Sequence, residues 1–261
     1  MSEPVVKLHV HDHTGTITLN RPDKRNALTR QLLSELRQAF ADLHLQKSVR
    51  AIVLTGAGSA FCAGMDLGEM LRTAEEPNSY ELWDQDARLY REVLETMVRF
   101  PKPIIAAVDG PAVAGGAGLV LASDIVLASR QSKFGLPEPK RGLVAGIVSP
   151  LLAFRVGGSR AAYLLLTTRL IEAEVAQSYG LFHELTDSDT IWARAHELAG
   201  EIAQSAPEAL SLTKRMLNET IGAELDTQLA AGAAVSSTAR STEAAAEGLA
   251  AFLEKRDPVW E

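Results

Sequence analysis

Three short stretches hold the residues best suited to chemistry. Phe134–Pro139 reads FGLPEP and sets Glu138 between two prolines. Proline locks φ, so a carboxylate in that loop is held in one direction. Apolar neighbours desolvate it and raise its pKa, which suits a general acid or base; the plainer reading is a solvated loop carboxylate. Val108–Asp124 reads VDGPAVAGGAGLVLASD. An apolar run, Ile104–Val108, enters it, and a small-residue apolar segment, Ala117–Ala122, leaves it. Gly110, Gly115, Gly116 and Gly118 allow positive φ and close approach of another group. A strand feeding a tight turn and then a helix N-terminus presents unpaired N–H groups that stabilise negative charge. The same glycines equally suit simple packing of helix on strand. Ser59–Leu67 reads SAFCAGMDL and places Gly64 and then Asp66 at a predicted helix start.

Other reactive residues point elsewhere. His9, His11 and His13 alternate along one strand, but no carboxylate or cysteine cluster accompanies them. They read as an exposed edge strand, and no metal site is expected. The stretch GAGSAF after Ile52–Thr55 does not complete a dinucleotide fingerprint. There is no G-x-S-x-G elbow, P-loop, CxxC or HExxH.

The elements that must position these stretches follow from periodicity. Val5–Val10 and Thr16–Leu19 flank Asp12–Gly15 as a hairpin. Leu28, Leu32, Leu36, Phe40 and Leu43 recur at helical spacing, with Asn26 a candidate N-cap. Ala51–Thr55, Ile104–Val108 and Ile125–Ala128 read as buried strands. Trp83, Ala87, Tyr90, Leu94 and Met97 define an amphipathic helix that ends before Pro101 and Pro103. Phe134–Gly146 reads as a loop too apolar to lie on the surface, hence packed against a site. After Ser159 the pattern is helical: Ala161–Leu166, Glu172–Ser178, Ile191–Gln204, a helix opened by Pro207, and Thr242–Arg256. Strand–helix alternation followed by a helical tail predicts an α/β core with a helical appendage and a soft boundary near residue 200.

Composition narrows the classes. A chain of 261 residues can bury a large core. Its net charge of −7 argues against a general nucleic-acid binder. No apolar run reaches membrane-spanning length. The opening MSEPVVKLHV lacks a basic region followed by an apolar core, so no export signal is expected. The single cysteine, Cys62, excludes an internal disulfide and suits a reducing, cytoplasmic compartment.

Taken together, five stretches resemble the crotonase superfamily, the enoyl-CoA hydratase/isomerase family. They are LNRPDKRNAL (Leu19–Leu28), IVLTGAGSAFCAGMDL (Ile52–Leu67), KPIIAAVDGPAVAGGAGLVLASDI (Lys102–Ile125), FGLPEPKRGLVAG (Phe134–Gly146) and FLEKRDPVW (Phe252–Trp260). The resemblance covers nearly the whole chain. It implies an α/β spiral of repeated ββα units with a C-terminal helical trimerisation region. Residues 1–200 would form the core with the acyl-CoA site, and 201–261 the helices that oligomerise and cover CoA. It implies an acyl-CoA substrate, no tightly bound cofactor beyond the CoA of that substrate, and a homotrimer or a dimer of trimers.

The resemblance also assigns roles. An enolate oxyanion would be held by the backbone N–H groups of Met65 and Gly115, with Glu138 as acid–base group. Asp66 would cap its helix. In the loop Asp23–Ala27, Lys24 and Arg25 would meet CoA phosphates, with Ala27 beside them; the backbone near Ala63 would meet adenine. Lys255, in the last helix, would reach phosphate across a subunit boundary, or simply be a solvated charge. Hydratases of the family commonly carry a second glutamate where this chain has Gly118. One carboxylate suffices to shift a double bond, so isomerisation is expected ahead of hydration in fatty-acid or branched-chain acyl-CoA breakdown or another enolate reaction (decarboxylation, hydrolysis), with an acyl-CoA-binding homologue without chemistry as a further alternative. Glu69, the one nearby substitute acid, is expected to face solvent. RNA binding, known in some relatives, fits poorly with the acidic charge.

Overall fold

The computed structural model describes residues 3–260, apart from the side chains of 220 and 221. Strands β1 (Val6–His11) and β2 (Thr14–Leu19) form the predicted hairpin, with Leu8 opposite Ile17. Helix α1 (Arg30–Leu45) then crosses to β3 (Ala51–Gly56), parallel to β2. Helices α2 (Leu67–Ala74) and α3 (Ser79–Arg99) lead to β4 (Ile104–Val108). A two-residue strand β5 (Ala112–Val113) precedes α4 (Gly115–Ala122), followed by β6 (Ile125–Ser129) and β7 (Lys133–Gly135). Next come α5 (Val148–Thr167), β8 (Ile171–Glu172), α6 (Ala173–Ser178) and β9 (Glu184–Thr186). The chain closes with α7 (Ile191–Ala203), α8 (Pro207–Arg215), α9 (Leu225–Arg240) and α10 (Glu243–Glu254).

The main sheet runs β1-β2-β3-β4-β6-β9, parallel except for the β1–β2 pair, and β5-β7-β8 form a second, small sheet. Central strands read as unbroken apolar runs because both faces are covered. Ile52, Leu54, Ile104 and Ala106 face the large core beneath α1, α3 and α4. Ala51, Val53, Ile105 and Ala107 face Ile191, Ala195 and Ala199 of α7. Consecutive residues therefore enter different cores, as the two-residue period of a strand requires.

Several sequence expectations change. Asn26 is not the N-cap of α1; Thr29 is, accepting from Leu32 N–H at 3.2 Å. Asn26 is instead fully buried and binds a neighbouring loop. Phe134–Gly146 is not all loop: it contains β7 and a 3₁₀ turn at Glu138–Arg141. The helix expected at Ala161 starts at Val148 and bends at Gly157, whose φ is +77°. The helix opened by Pro207 passes at Met216 into a single π turn. His9, His11 and His13 are exposed at the sheet edge, and among the described residues no cluster of metal-ligating side chains occurs.

Candidate active site

Two glycines bring the chemical stretches together. Gly64 has φ +91°, and a Cβ there would lie 2.7 Å from Ala114 Cβ and 3.1 Å from the Gly115 nitrogen. Only glycine lets the Ala63–Met65 backbone rest against the start of α4. Gly116 permits a second close approach, since a Cβ there would meet the Cys62 carbonyl oxygen at 2.2 Å. Val113 N–H donates to Cys62 O at 2.9 Å and stitches the two segments.

Near this contact the surrounding hydrogen bonds leave two backbone N–H groups unused among the described residues. Leu28 N–H donates to Gly64 O at 2.8 Å, and Asp66 N–H donates to Leu28 O at 2.9 Å. Parallel pairing of this kind turns the intervening Met65 N–H away from Leu28. Gly115 opens α4, so its N–H belongs to the unpaired first turn. Met65 and Gly115 both line one cavity of about 390 Å³. Asp66 caps α2 as expected: Glu69 N–H donates to Oδ1 at 3.0 Å and Arg21 Nη2 to Oδ2 at 3.0 Å. Burial pushes this carboxyl up, but that N–H and Arg21 outweigh it and hold the pKa below the usual value.

Glu138 lines the same cavity, at the start of the 3₁₀ turn after Pro137. Its Oε2 is buried and accepts no hydrogen bond among the described residues. Burial pushes its carboxyl up to about 7, opposed only by its own backbone N–H. A poorly solvated carboxylate poised near neutrality is suited to take a proton and give it back.

Tyr90 of α3 completes the wall. Its hydroxyl donates to Gly115 O at 2.6 Å. A Cβ on Gly118 would lie 1.9 Å from that hydroxyl, far inside contact distance. Tyr90 thus fills the space that a side chain at 118 would need. In the sequence Tyr90 is only one apolar position of an amphipathic helix; nothing in its spacing reveals where the hydroxyl goes.

The remaining predicted residues divide. Arg25 and Ala63 line the cavity at its exposed rim, joined by an Ala63 N–H to Arg25 O bond of 3.0 Å. Arg25 and Asn26 both take left-handed backbone, at φ +49° and +55°. That turn is held by Asn26 Nδ2, which donates to the carbonyls of Ala57, Ala60 and Phe61 at 2.9, 2.8 and 3.2 Å. Lys24 is exposed beside them, while neither it nor Ala27 lines the cavity. Lys255 is not within the last helix but is its C-cap, left-handed at φ +56°, and is exposed. It lines an adjoining cavity of about 410 Å³ that shares Lys140, Arg141 and Phe252 with the first. Lys140 and Arg141 follow Glu138 closely and were legible only within the PEPKR run. Glu69 does not face solvent freely: its Oε2 accepts the Arg30 N–H at 3.0 Å, satisfying the start of α1.

The fold is that of an enoyl-CoA hydratase/isomerase class, and comparison with known proteins agrees. A family model described as enoyl-CoA hydratase/isomerase matches residues 11–261. The 1,2-epoxyphenylacetyl-CoA isomerase of Escherichia coli K12 is 34% identical over 251 residues, covering 96% of this chain and 95% of that protein. The short-chain-enoyl-CoA hydratase of Clostridium acetobutylicum is 32% identical over 253 residues, covering 96% and 95%. The crystal structure of an enoyl-CoA hydratase/isomerase from Xanthobacter autotrophicus Py2 superposes with a TM-score of 0.89 at 29% identity, covering 98% of each chain. The chain belongs to the enoyl-CoA hydratase/isomerase family.

Proposed function

We propose that this enzyme shifts the double bond of an enoyl-CoA, with Glu138 as its single acid–base group. One observation carries the reading: with Tyr90 in the room beside Gly118, Glu138 is left as the one carboxylate among the described residues that line the cavity. The Met65 and Gly115 N–H groups hold the thioester oxygen as negative charge develops on it. A preorganised donor of this kind is worth about 10²–10³ in rate. Glu138 removes the proton from C2, the enolate delocalises to C4, and the same carboxyl returns the proton there. No water is consumed, so no second acid is required.

Binding of CoA is assigned to the rim. Arg25 and Lys24 take phosphates through charge-assisted hydrogen bonds, the Ala63 and Ala27 backbone flanks the nucleotide, and Lys255 adds a charge beside the neighbouring cavity. Residues 201–261 cover this end and build a homotrimer or a dimer of trimers from the core of residues 1–200. A cytoplasmic setting suits the buried free thiol of Cys62, and among the described residues no helix is long and apolar enough to cross a membrane.

The test is to incubate the purified protein with a 3-enoyl-CoA and, separately, a 2-enoyl-CoA. Conjugation appearing in the ultraviolet from the 3-enoyl substrate without change of mass is the expected result. A gain of one water on the 2-enoyl substrate would make the enzyme a hydratase. Tight binding without turnover of either would make it an acyl-CoA-binding homologue.

A further inference from the structure

Helix α9 brings a charge to the cavity that the chemistry above does not use. Arg240 is 8% exposed and lines the cavity with Ser236, one helical turn earlier. A guanidinium carries five N–H donors. Among the described residues Arg240 makes one hydrogen bond, a long one from Nη1 to Trp83 O at 3.4 Å. The opposite charge it feels is that of Asp86, but both oxygens of Asp86 are gripped by Arg30, through Nε at 2.5 Å and Nη2 at 2.9 Å. Arg30 itself adds a like charge. The neighbouring Trp83 Nε1 is also a buried donor without an acceptor among the described residues.

The position of this surplus of donors is informative. Arg25 and Ala63, at the rim, are exposed, whereas Met70 and Arg240 are buried. The wall between is mainly apolar, with Met65, Leu67, Leu143 and Val144. Burying a cation costs stability unless an anion and further acceptors meet it. A planar fork of donors facing a cavity from a buried helix is matched by a carboxylate, which can accept two parallel N–H bonds. A methyl-terminated chain reaching that end would desolvate Arg240 further and return nothing.

We infer that Arg240 determines acyl specificity by binding a carboxylate on the acyl chain, so that the substrates are CoA thioesters of dicarboxylic acids. This rests on the acyl-CoA reading given above. The test is calorimetric binding of saturated thioesters in matched pairs: glutaryl- against pentanoyl-CoA, adipoyl- against hexanoyl-CoA, and suberoyl- against octanoyl-CoA. In the native protein at least one acid-terminated member is expected to bind at least about tenfold more tightly than its methyl-terminated partner, the scale of a hydrogen-bonded charge pair. Arg240→Met is expected to remove that preference. Arg240→Lys, which keeps the charge and loses the fork, is expected to shrink it. A native preference for the methyl-terminated member of every pair would overturn the inference, whether or not the variants fold. So would a preference that survives Arg240→Met, which would leave Arg240 as a clamp between α9 and α3. Failure of both series to bind would defeat the acyl-CoA reading itself.

Discussion

At the scale of single residues, the acid–base role proposed for Glu138 has consequences for pH. Glu138→Gln keeps the shape and removes the base. Turnover is expected to fall by about 10²–10⁴, the usual worth of a positioned acid–base group, with little change in thioester affinity measured by calorimetry. In the proposed reaction the active form is the carboxylate, so kcat/KM of the native enzyme should rise with pH and reach half its maximum near 7, where burial places this group. Its stability runs the other way. The unfolded chain releases this proton near the ordinary 4.5, and the folded chain only at about 7. Between those values the folded state holds more protons, so stability falls as pH rises through the window, by about 3 kcal/mol in all. Urea melts of the native protein should show that decline, and Glu138→Gln should lack it.

At the scale of elements, α3 and α4 are matched to each other through Tyr90 and Gly118. Gly118→Ala drives a methyl into the Tyr90 hydroxyl and is expected to cost about 1–3 kcal/mol as overpacking. Tyr90→Phe removes the hydroxyl, so the same alanine should cost less in that background. A double-mutant cycle by chemical denaturation reads the difference, and additive costs would contradict the packing described. The rim loop offers a second case. Asn26 is fully buried and its amide serves three carbonyls while its Oδ1 accepts the Arg21 N–H at 2.9 Å. Asn26→Ala strands these groups and is expected to cost about 1–3 kcal/mol for each one left unpaired and dry. If Arg25 binds CoA as proposed, loss of CoA affinity should accompany it, because the Arg25 turn loses its anchor.

At the scale of the whole molecule, the helical tail is fastened to the sheet by a buried ion pair. Lys214 of α8 is 7% exposed. Its Nζ donates to Asp124 Oδ2 at 2.6 Å and to Met97 O at 3.0 Å, and the same Oδ2 accepts the Ile104 N–H at 2.8 Å. Lys214→Met leaves Asp124 without its cation and is expected to destabilise the fold by about 3–5 kcal/mol in thermal or urea unfolding. Leu225, Leu229 and Ala233 of α9 belong to the same core as α1 and α3, so tail and sheet are expected to melt in one transition. Sedimentation of the native protein should show a trimer or a pair of trimers.

Much of this was written in the chain itself. Alternating and helical periodicities define β1–β2, β3, β4, β6 and α3 because each buries a face whose spacing the backbone repeat imposes. The glycines and the proline-bounded Glu138 are equally legible, since turn conformations and fixed directions demand those residue types locally. The two-residue strands β5 and β8 were not legible: so short a strand exists only because a distant partner pairs with it. Nor were the placements of Tyr90, Arg240 and Glu69. Each is an ordinary helix position by periodicity, and which partner its polar end meets depends on elements far away in sequence. The sequence alone therefore determined the longer elements, by local spacing, and the family, by the resemblance of its combined motifs. The space at Gly118, the burial that tunes Glu138 and the cation lining the cavity were decided by tertiary packing, because dielectric and excluded volume are set by whatever else folds against a side chain.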